Sequence, residues 1–252
     1  MQLKEITFKE ITRDEAKPLL LNFHYLKRMP PLSIAYGAFY KDKLIGVLTF
    51  GKPPSNSLCK GIAGEEFSNK VYELNRLYTI DESPKNTESK FISYALKQLK
   101  RKNLILISYA DEAMNHSGYI YQATNWLYSG LSANRTDVYV GKNGHSRTYS
   151  DDQRNFIIRS LRSRKHRYIY LCGDKRFKKK ALEAIKYPIY DYYPKGEVKH
   201  YQVGDGVNKM LYNKETKEVF LESEFIKEPH KYLNDKQYND YLEIYVKNKK
   251  DK

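Results

Sequence analysis

Three consecutive segments constrain the fold more than anything else in this chain. Residues 71–80, VYELNRLYTI, read as a strand. Residues 86–102, NTESKFISYALKQLKRK, read as a helix opened by polar capping residues. Residues 103–111, NLILISYAD, read as a second, apolar strand. Upstream, LKEITFKEIT alternates as a strand should, and RDEAKPLLLNFHYL follows as an amphipathic helix whose start Pro18 restricts. SIAYGAFYKDKLIGVLTFG is a hairpin turning at Lys41-Asp42-Lys43, and residues 52–69 read as a polar loop. Downstream come a short helix around Tyr119–Asn125, a strand HRYIYLCG, a basic helix DKRFKKKALEAIKY, a turn YDYYPKGE and a hairpin MLYNKETKEVFLES. The order predicts an α/β fold: a mixed central β-sheet flanked by helices, with a basic C-terminal extension. The boundary is placed at residue 198, so that 1–198 form the main domain and 199–252 an extension with the hairpin and the charged end YVKNKKDK.

In open α/β sheets ligands sit beyond the carboxyl ends of the strands, where two neighbours splay apart. Asp111 stands at one such end and Arg76-Leu77 near another. From Ser108 onward the chain reads SYADEAMNHSGYIYQATNWLYSG, dense in hydroxyls and amides, with His116 and the lone tryptophan, Trp126. So many hydrogen-bonding side chains at the mouth of a buried strand mark a site.

Charge narrows the partner. There are 45 Lys+Arg against 30 Asp+Glu, a net charge of +15. AT-rich coding explains abundant lysine but not its placement: residues 159–180, RSLRSRKHRYIYLCGDKRFKKK, hold ten Lys/Arg and one acid, Asp174. Such clustering favours a polyanion through counterion release and steering, with Arg159, Arg162, Arg164, Lys165 and Arg167 as candidate nucleic-acid contacts. The two cysteines, Cys59 and Cys172, form no CxxC pair, which argues against a structural zinc site and for a reducing cytoplasm. No apolar run is long enough to span a bilayer.

Two resemblances rest on these residues. Segment 71–126 resembles the core of the GNAT acyltransferases, in which a strand leads to a loop and helix N-terminus that hold the donor's pyrophosphate. Tyr121, within Ile120-Tyr121-Gln122-Ala123, matches the tyrosine that protonates the leaving group. The glycine-rich donor loop of that superfamily is replaced by Asp81-Glu82-Ser83-Pro84-Lys85-Asn86-Thr87-Glu88-Ser89, without a glycine. More specifically, FHYLKRMP, YGAFYKDKLIGVLTFG, YELNRLYTIDESPKNTESKFIS, SYADEAMNHSGYIYQATNW and KHRYIYLCGDK resemble, in order, the Mom family of phage DNA-modification proteins over residues 20–195. That resemblance implies transfer of a carbamoylmethyl group to the N6 amine of adenine in double-stranded DNA, shielding a genome from restriction. It carries over His24, Tyr25, Arg76, Ser89, Asp111 and Tyr121.

Each of these has an ordinary reading beside the functional one. Asp111 is expected to bind the acceptor amine and take its proton, or else to cap a turn. Tyr121 is a general acid, or a core residue with its hydroxyl at the rim. His24 and Tyr25 wall the acceptor pocket, or His24 favours a helix dipole. Arg76 stands three positions after Glu73, which puts them on opposite strand faces, with Arg76 contacting an anionic group. Asn86 and Ser89 hold a phosphate or carboxylate at a helix N-terminus, or cap it. The donor is an acyl or glycyl group on an acetyl-CoA-like or aminoacyl-tRNA-like carrier: a glycyl group has the atoms of a carbamoylmethyl group, and the positive charge suits tRNA as well as DNA. A metal is not expected. An iron set of His24, His116 and Asp111 has no supporting spacing. The residues alone leave open a GNAT-like enzyme for another amine, on RNA, protein or a small molecule, and a non-catalytic nucleic-acid-binding protein.

Overall fold

The computed structural model describes residues 1–24, 26–114, 116–141, 149–196 and 209–246; Tyr25 and the charged end from 247 lie outside them. In chain order the elements are β1 (Thr7–Glu10), α1 (Arg13–Asn22), β2 (Ile34–Tyr40), β3 (Lys43–Gly51), α2 (Asn56–Phe67), β4 (Val71–Thr79), α3 (Thr87–Leu99), β5 (Leu104–Asp111), α4 (Tyr119–Gln122) and β6 (Leu127–Leu131). There follow β7 (Arg135–Val138), α5 (Asp151–Asn155), β8 (Ile158–Arg162), β9 (Lys165–Cys172), α6 (Lys175–Ala184), β10 (Met210–Asn213), β11 (Val219–Leu221), α7 (Glu222–Lys227) and α8 (Asp235–Tyr241). They form two compact units. The first comprises Met1–Ala110, His116–Leu131 and His166–Val198; the second comprises Asp111–Asn115, Ser132–Lys165 and Lys199–Lys252. Residues 132–165, assigned by sequence to the main domain, thus group with the C-terminal part.

The first unit holds a seven-stranded mixed sheet in the order β1-β2-β3-β4-β5-β9-β6. Strands β1 to β4 pair antiparallel, and β4 and β5 pair parallel, as the intervening helix α3 requires. α3 buries Phe91, Ile92, Ala95, Leu96 and Leu99, one helical stripe, against Phe50, Leu74, Leu106 and Trp126. The opposite face of the sheet presents Val71, Ile105, Ile107 and Ile169 to Cys59, Ile62 and Phe67 of α2 and Ala181 of α6. Helices therefore cover both faces. This is the expected mixed α/β sheet flanked by helices.

Two expectations are corrected. Residues 52–69 are not a loop: Ser55 accepts a hydrogen bond from the Leu58 amide at 3.2 Å and starts α2. Gly61, Gly64 and many small residues obscured its apolar stripe, and Gly64, at φ +69°, kinks the helix near its end. Glu73 and Arg76 do not face opposite ways. The β3–β4 register runs Gly51↔Glu73, Phe50↔Leu74, then Thr49↔Arg76, so Asn75 is an inserted bulge residue. Gly51 and Thr49 share a face, and directly opposed residues share theirs, so Glu73 and Arg76 do too. Asn75 is held by accepting from the Thr49 hydroxyl at 2.6 Å and donating to the Pro31 carbonyl at 2.7 Å.

The second unit has a four-stranded antiparallel sheet in the order β11-β10-β8-β7. Its core is aromatic, with Tyr139, Phe156, Phe220, Phe225, Tyr241 and Tyr245 buried around Ile158 and Leu211. The hairpin expected from MLYNKETKEVFLES is β10–β11.

Candidate active site

The parallel register of β4 and β5 runs Val71↔Ile105, Tyr72↔Leu106, Glu73↔Ile107 and stops, although β4 continues to Thr79 and β5 to Asp111. The strands part where the Asn75 bulge begins. A backbone carbonyl left there without a ladder partner needs another donor. The Leu74 carbonyl finds it in the Ser108 hydroxyl, at 2.8 Å, and the same Ser108 oxygen lies 2.8 Å from the Tyr121 hydroxyl. Ser108 is 1% exposed. A serine has one proton to give, and a carbonyl only accepts, so Ser108 donates to Leu74 and accepts from Tyr121. The phenol of Tyr121 is thereby aimed at the strand opening.

Tyr121 arrives there because α4 starts at Gly118, whose φ of +83° is left-handed and whose missing side chain leaves room for the Tyr168 ring. The Tyr121 ring packs against Trp126 and Tyr168, with centroids 5.2 and 5.1 Å away. The structure shows the ring in the core, with its hydroxyl bonded to Ser108.

His24 lies just past the end of α1, buried, its Nδ1 accepting from the Leu26 amide at 3.1 Å. The neutral ring therefore carries its proton on Nε2. Burial, reinforced by the positive Arg76, depresses its pKa to about 4. A histidine held neutral does not serve as a charged partner for a helix dipole. The bulge is what turns Arg76 toward the α1 face of the sheet: Thr49, opposite Arg76, shares its face with Val47, which packs on Ala16 and Leu20 of α1. Arg76 is buried and donates to the Asn75 carbonyl.

At the start of α3, Asn86 takes the N-cap position in the left-handed region, φ +68°, and its side chain makes no cap bond. Ser89 donates to the Asn86 carbonyl at 3.1 Å, and the Thr87 hydroxyl to the Pro84 carbonyl at 2.6 Å. Neither residue is the plain side-chain cap. In the preceding loop the Ser83 hydroxyl is buried without a hydrogen-bond partner. First-turn amides without a side-chain cap and an unpaired buried hydroxyl suit one anionic or polar group of a donor. Asp81, Glu82 and Glu88, against Lys85 alone, weigh against a full pyrophosphate.

Asp111 belongs to the second unit. Its carboxylate accepts from the Ala113 amide at 3.0 Å and pairs with Lys165 at 3.0 Å. Burial pushes its pKa up, but the Ser163 hydroxyl, the Lys165 ammonium and the Ala113 amide outweigh that and hold it below the usual carboxylate value. In the same unit Arg164 forks onto Glu112 at 3.0 and 3.3 Å, Arg162 lies 3.5 Å from Asp137, and Arg159 donates to the Arg154 carbonyl at 3.2 Å. In the first unit Arg167 lies over the Tyr187 ring and donates to the Ser129 carbonyl. The basic run is laced with internal partners that its sequence did not announce.

The structure thus brings His24 toward Arg76 and places Tyr121 at the β4–β5 opening, with Asn86 and Ser89 at the start of the intervening helix. Ser108, Asn75 and Ser83 were missed. The signal for Ser108 was available: a lone hydroxyl inside the apolar run LILIS. Among the described residues, no group of three His, Cys, Asp or Glu side chains is arranged to hold a metal ion, and no helix is long and apolar enough to cross a membrane.

The first unit is a mixed α/β sheet with helices on both faces, its central parallel strands parted over a buried tyrosine. The chain belongs to the Mom protein family, whose model matches residues 5–195. It is 28% identical over 203 residues to the methylcarbamoylase mom of Escherichia phage Mu, covering 73% of this chain and 84% of that one. Solved structures similar to it include the ribosomal-protein-S5-alanine acetyltransferase of Vibrio fischeri (11% identity, TM-score 0.43, 68% of this chain and 96% of that one). A GNAT family acetyltransferase of Elizabethkingia anophelis with acetyl-CoA bound is another (13%, TM-score 0.38, 66% and 98%).

Proposed function

We propose that this protein is a transferase that places a carbamoylmethyl-type group on the N6 amine of adenine in double-stranded DNA, protecting that DNA from restriction. The observation that carries the reading is the family match over residues 5–195, joined by the similarity to a phage methylcarbamoylase. The net charge of +15 suits the polyanionic acceptor.

The adenine amine is a weak nucleophile, because its lone pair is delocalised into the ring, so the base must be extruded and held against the donor. Once the amine has attacked, its nitrogen becomes strongly acidic, and a carboxylate of low pKa suffices to take the proton. The family resemblance gives Asp111 this part. The Tyr121 hydroxyl, its oxygen positioned by Ser108, turns its one proton from Ser108 onto the leaving group as the carrier departs. Neutral His24 keeps its Nε2 proton for hydrogen bonding, and Arg76 offsets negative charge. Asn86, Ser89 and the orphaned Ser83 hydroxyl hold the donor's polar end. When bound, an acyl or glycyl donor on an acetyl-CoA-like or tRNA-like carrier would supply the activated carbonyl; a glycyl group joined to N6 through it is an isomer of the carbamoylmethyl group, equal to it in mass, and the carrier leaves with the proton from Tyr121.

The test is mass spectrometry of nucleosides from DNA of cells expressing the protein. A deoxyadenosine derivative heavier by a carbamoylmethyl group, and resistance at adenine-containing restriction sites, are expected. Only unmodified deoxyadenosine under strong expression refutes the reading.

A further inference from the structure

Within the first unit, the segment after α6 lies along β6, the edge strand of the large sheet. Tyr190 donates its amide to the Tyr128 carbonyl at 3.0 Å, and the Ser129 hydroxyl donates to the Pro188 carbonyl at 2.8 Å. The Tyr193 hydroxyl donates to the Trp126 carbonyl at 2.8 Å, and the Gln122 amide to the Pro194 carbonyl at 3.2 Å. Four ties fix a short stretch of backbone, yet three of its rings face water: Tyr190 is 40%, Tyr192 57% and Tyr193 41% exposed. Tyr190 and Tyr192 are 5.3 Å apart, and each lies 5.8 Å from the buried Tyr128 ring. Tyr193 lies 6.5 Å from Tyr168, which is itself 5.1 Å from Tyr121. The exposed rings are therefore the outer end of an aromatic chain that begins at the site tyrosine.

We infer that Tyr190 and Tyr192 form a stacking surface for unpaired bases of the DNA strand that carries the target adenine. An aromatic face held rigid in water loses little further freedom when a base stacks on it, and every base has a face to offer, so such a surface binds without reading sequence. Charge selects a nucleic acid over an apolar protein partner. Exposed Lys186 and Lys195 bracket the segment, Asp191 is the one acid between them, and the whole chain carries +15. Extruding an adenine unstacks its neighbours, and a surface that takes them up lowers the cost of extrusion. The inference rests on the DNA reading of the site.

Fluorescence anisotropy with a short labelled deoxyadenylate strand, and with an abasic strand of equal length, tests it on the full chain. Replacing both residues (Tyr190→Ser with Tyr192→Ser) should weaken binding to the base-bearing strand by about fivefold to a hundredfold and leave the abasic strand unaffected. The unchanged abasic affinity doubles as evidence that the variant is folded. Tyr190→Phe with Tyr192→Phe should bind like the parent, because the rings and not the hydroxyls make the contact. Equal affinity of the serine pair for the base-bearing strand overturns the inference. So does a loss in the phenylalanine pair, or a loss confined to oligoadenylate RNA. Modified DNA in cells together with normal binding by the serine pair sinks the stacking surface and leaves the modification reading intact. Base-dependent binding abolished in the serine pair, with no modified nucleoside from the parent, does the reverse.

Discussion

Ser108 joins two buried polar groups, and a double-mutant cycle with Tyr121 measures what that is worth. Ser108→Ala removes the donor to the Leu74 carbonyl and the acceptor of the Tyr121 hydroxyl, both at 2.8 Å. The Leu74 carbonyl left unpaired in the interior costs about 1–3 kcal/mol and the hydrogen bond lost from Tyr121 about 1 more, so the substitution should lower stability by about 2–4 kcal/mol. Tyr121→Phe leaves Ser108 bonded to Leu74 and loses one hydrogen bond, about 1 kcal/mol. In the double variant only the Leu74 carbonyl lacks a partner. Its loss should be about that of one orphaned group, well under the sum of the singles, with a coupling of about 2 kcal/mol. Trp126 is the chain's single tryptophan and sits 5.2 Å from Tyr121, so its fluorescence in urea reports the unit that holds the site. Under the proposed function both single variants also lower adenine modification. Additive losses, or a Ser108→Ala variant as stable as Tyr121→Phe, would show that the proton order from Tyr121 through Ser108 to Leu74 is wrong.

Two further outcomes are expected. An unfolded imidazole binds its proton near pH 6.5 and folded His24 only near 4, so stability should rise with pH across that window, and acidification from 7 to 4 should cost up to about 3 kcal/mol through this residue. His24→Gln should flatten that part of the urea-stability profile; an identical slope in the variant would place the titration elsewhere. Asp111→Asn keeps an acceptor for the Ala113 amide but loses the Lys165 ion pair, a cost of roughly 0.5–1 kcal/mol at a half-exposed site. If the carboxylate takes the acceptor's proton, nucleoside analysis should show modification reduced by about two to four orders of magnitude. A normal rate would leave Asp111 as a turn cap and ion-pair partner.

Much of the first unit is legible because its elements announce themselves locally. The α3 stripe, the β2–β3 hairpin and the apolar β5 carry their periods in their own residues, and the opening beyond β4 and β5 follows from strand order. What the sequence hides is non-local. The bulge at Asn75 depends on how β4 aligns with β3, and one inserted residue swaps the face of Arg76. α2 stays hidden because Gly61 and Gly64 read as loop, while the apolar surface that stabilises the helix lies on β4, β5 and α6. The acids that pair with Arg162, Arg164 and Lys165 stand 25, 52 and 54 residues earlier, at Asp137, Glu112 and Asp111. A count of clustered charge cannot reveal them.

Parting two central strands has a consequence that ties the hidden bulge to the chemistry. Backbone groups that lose their ladder partners inside a protein must be paired by side chains, and those side chains must be polar in an otherwise apolar layer. Ser108 meets this need from β5 through the Leu74 carbonyl, while Asn75, the inserted residue of β4, is held by the Thr49 hydroxyl and the Pro31 carbonyl. Because each is bonded on more than one side, neither has freedom to reorient, and Tyr121, bonded to Ser108, has its hydroxyl oxygen held in one place. The group that mends the sheet, Ser108, is therefore the group that positions the tyrosine. A solitary hydroxyl or amide within an apolar central strand, as in LILIS or YELNRL, is accordingly the sequence trace of an opening of this kind. An apolar replacement there should damage stability and transfer together.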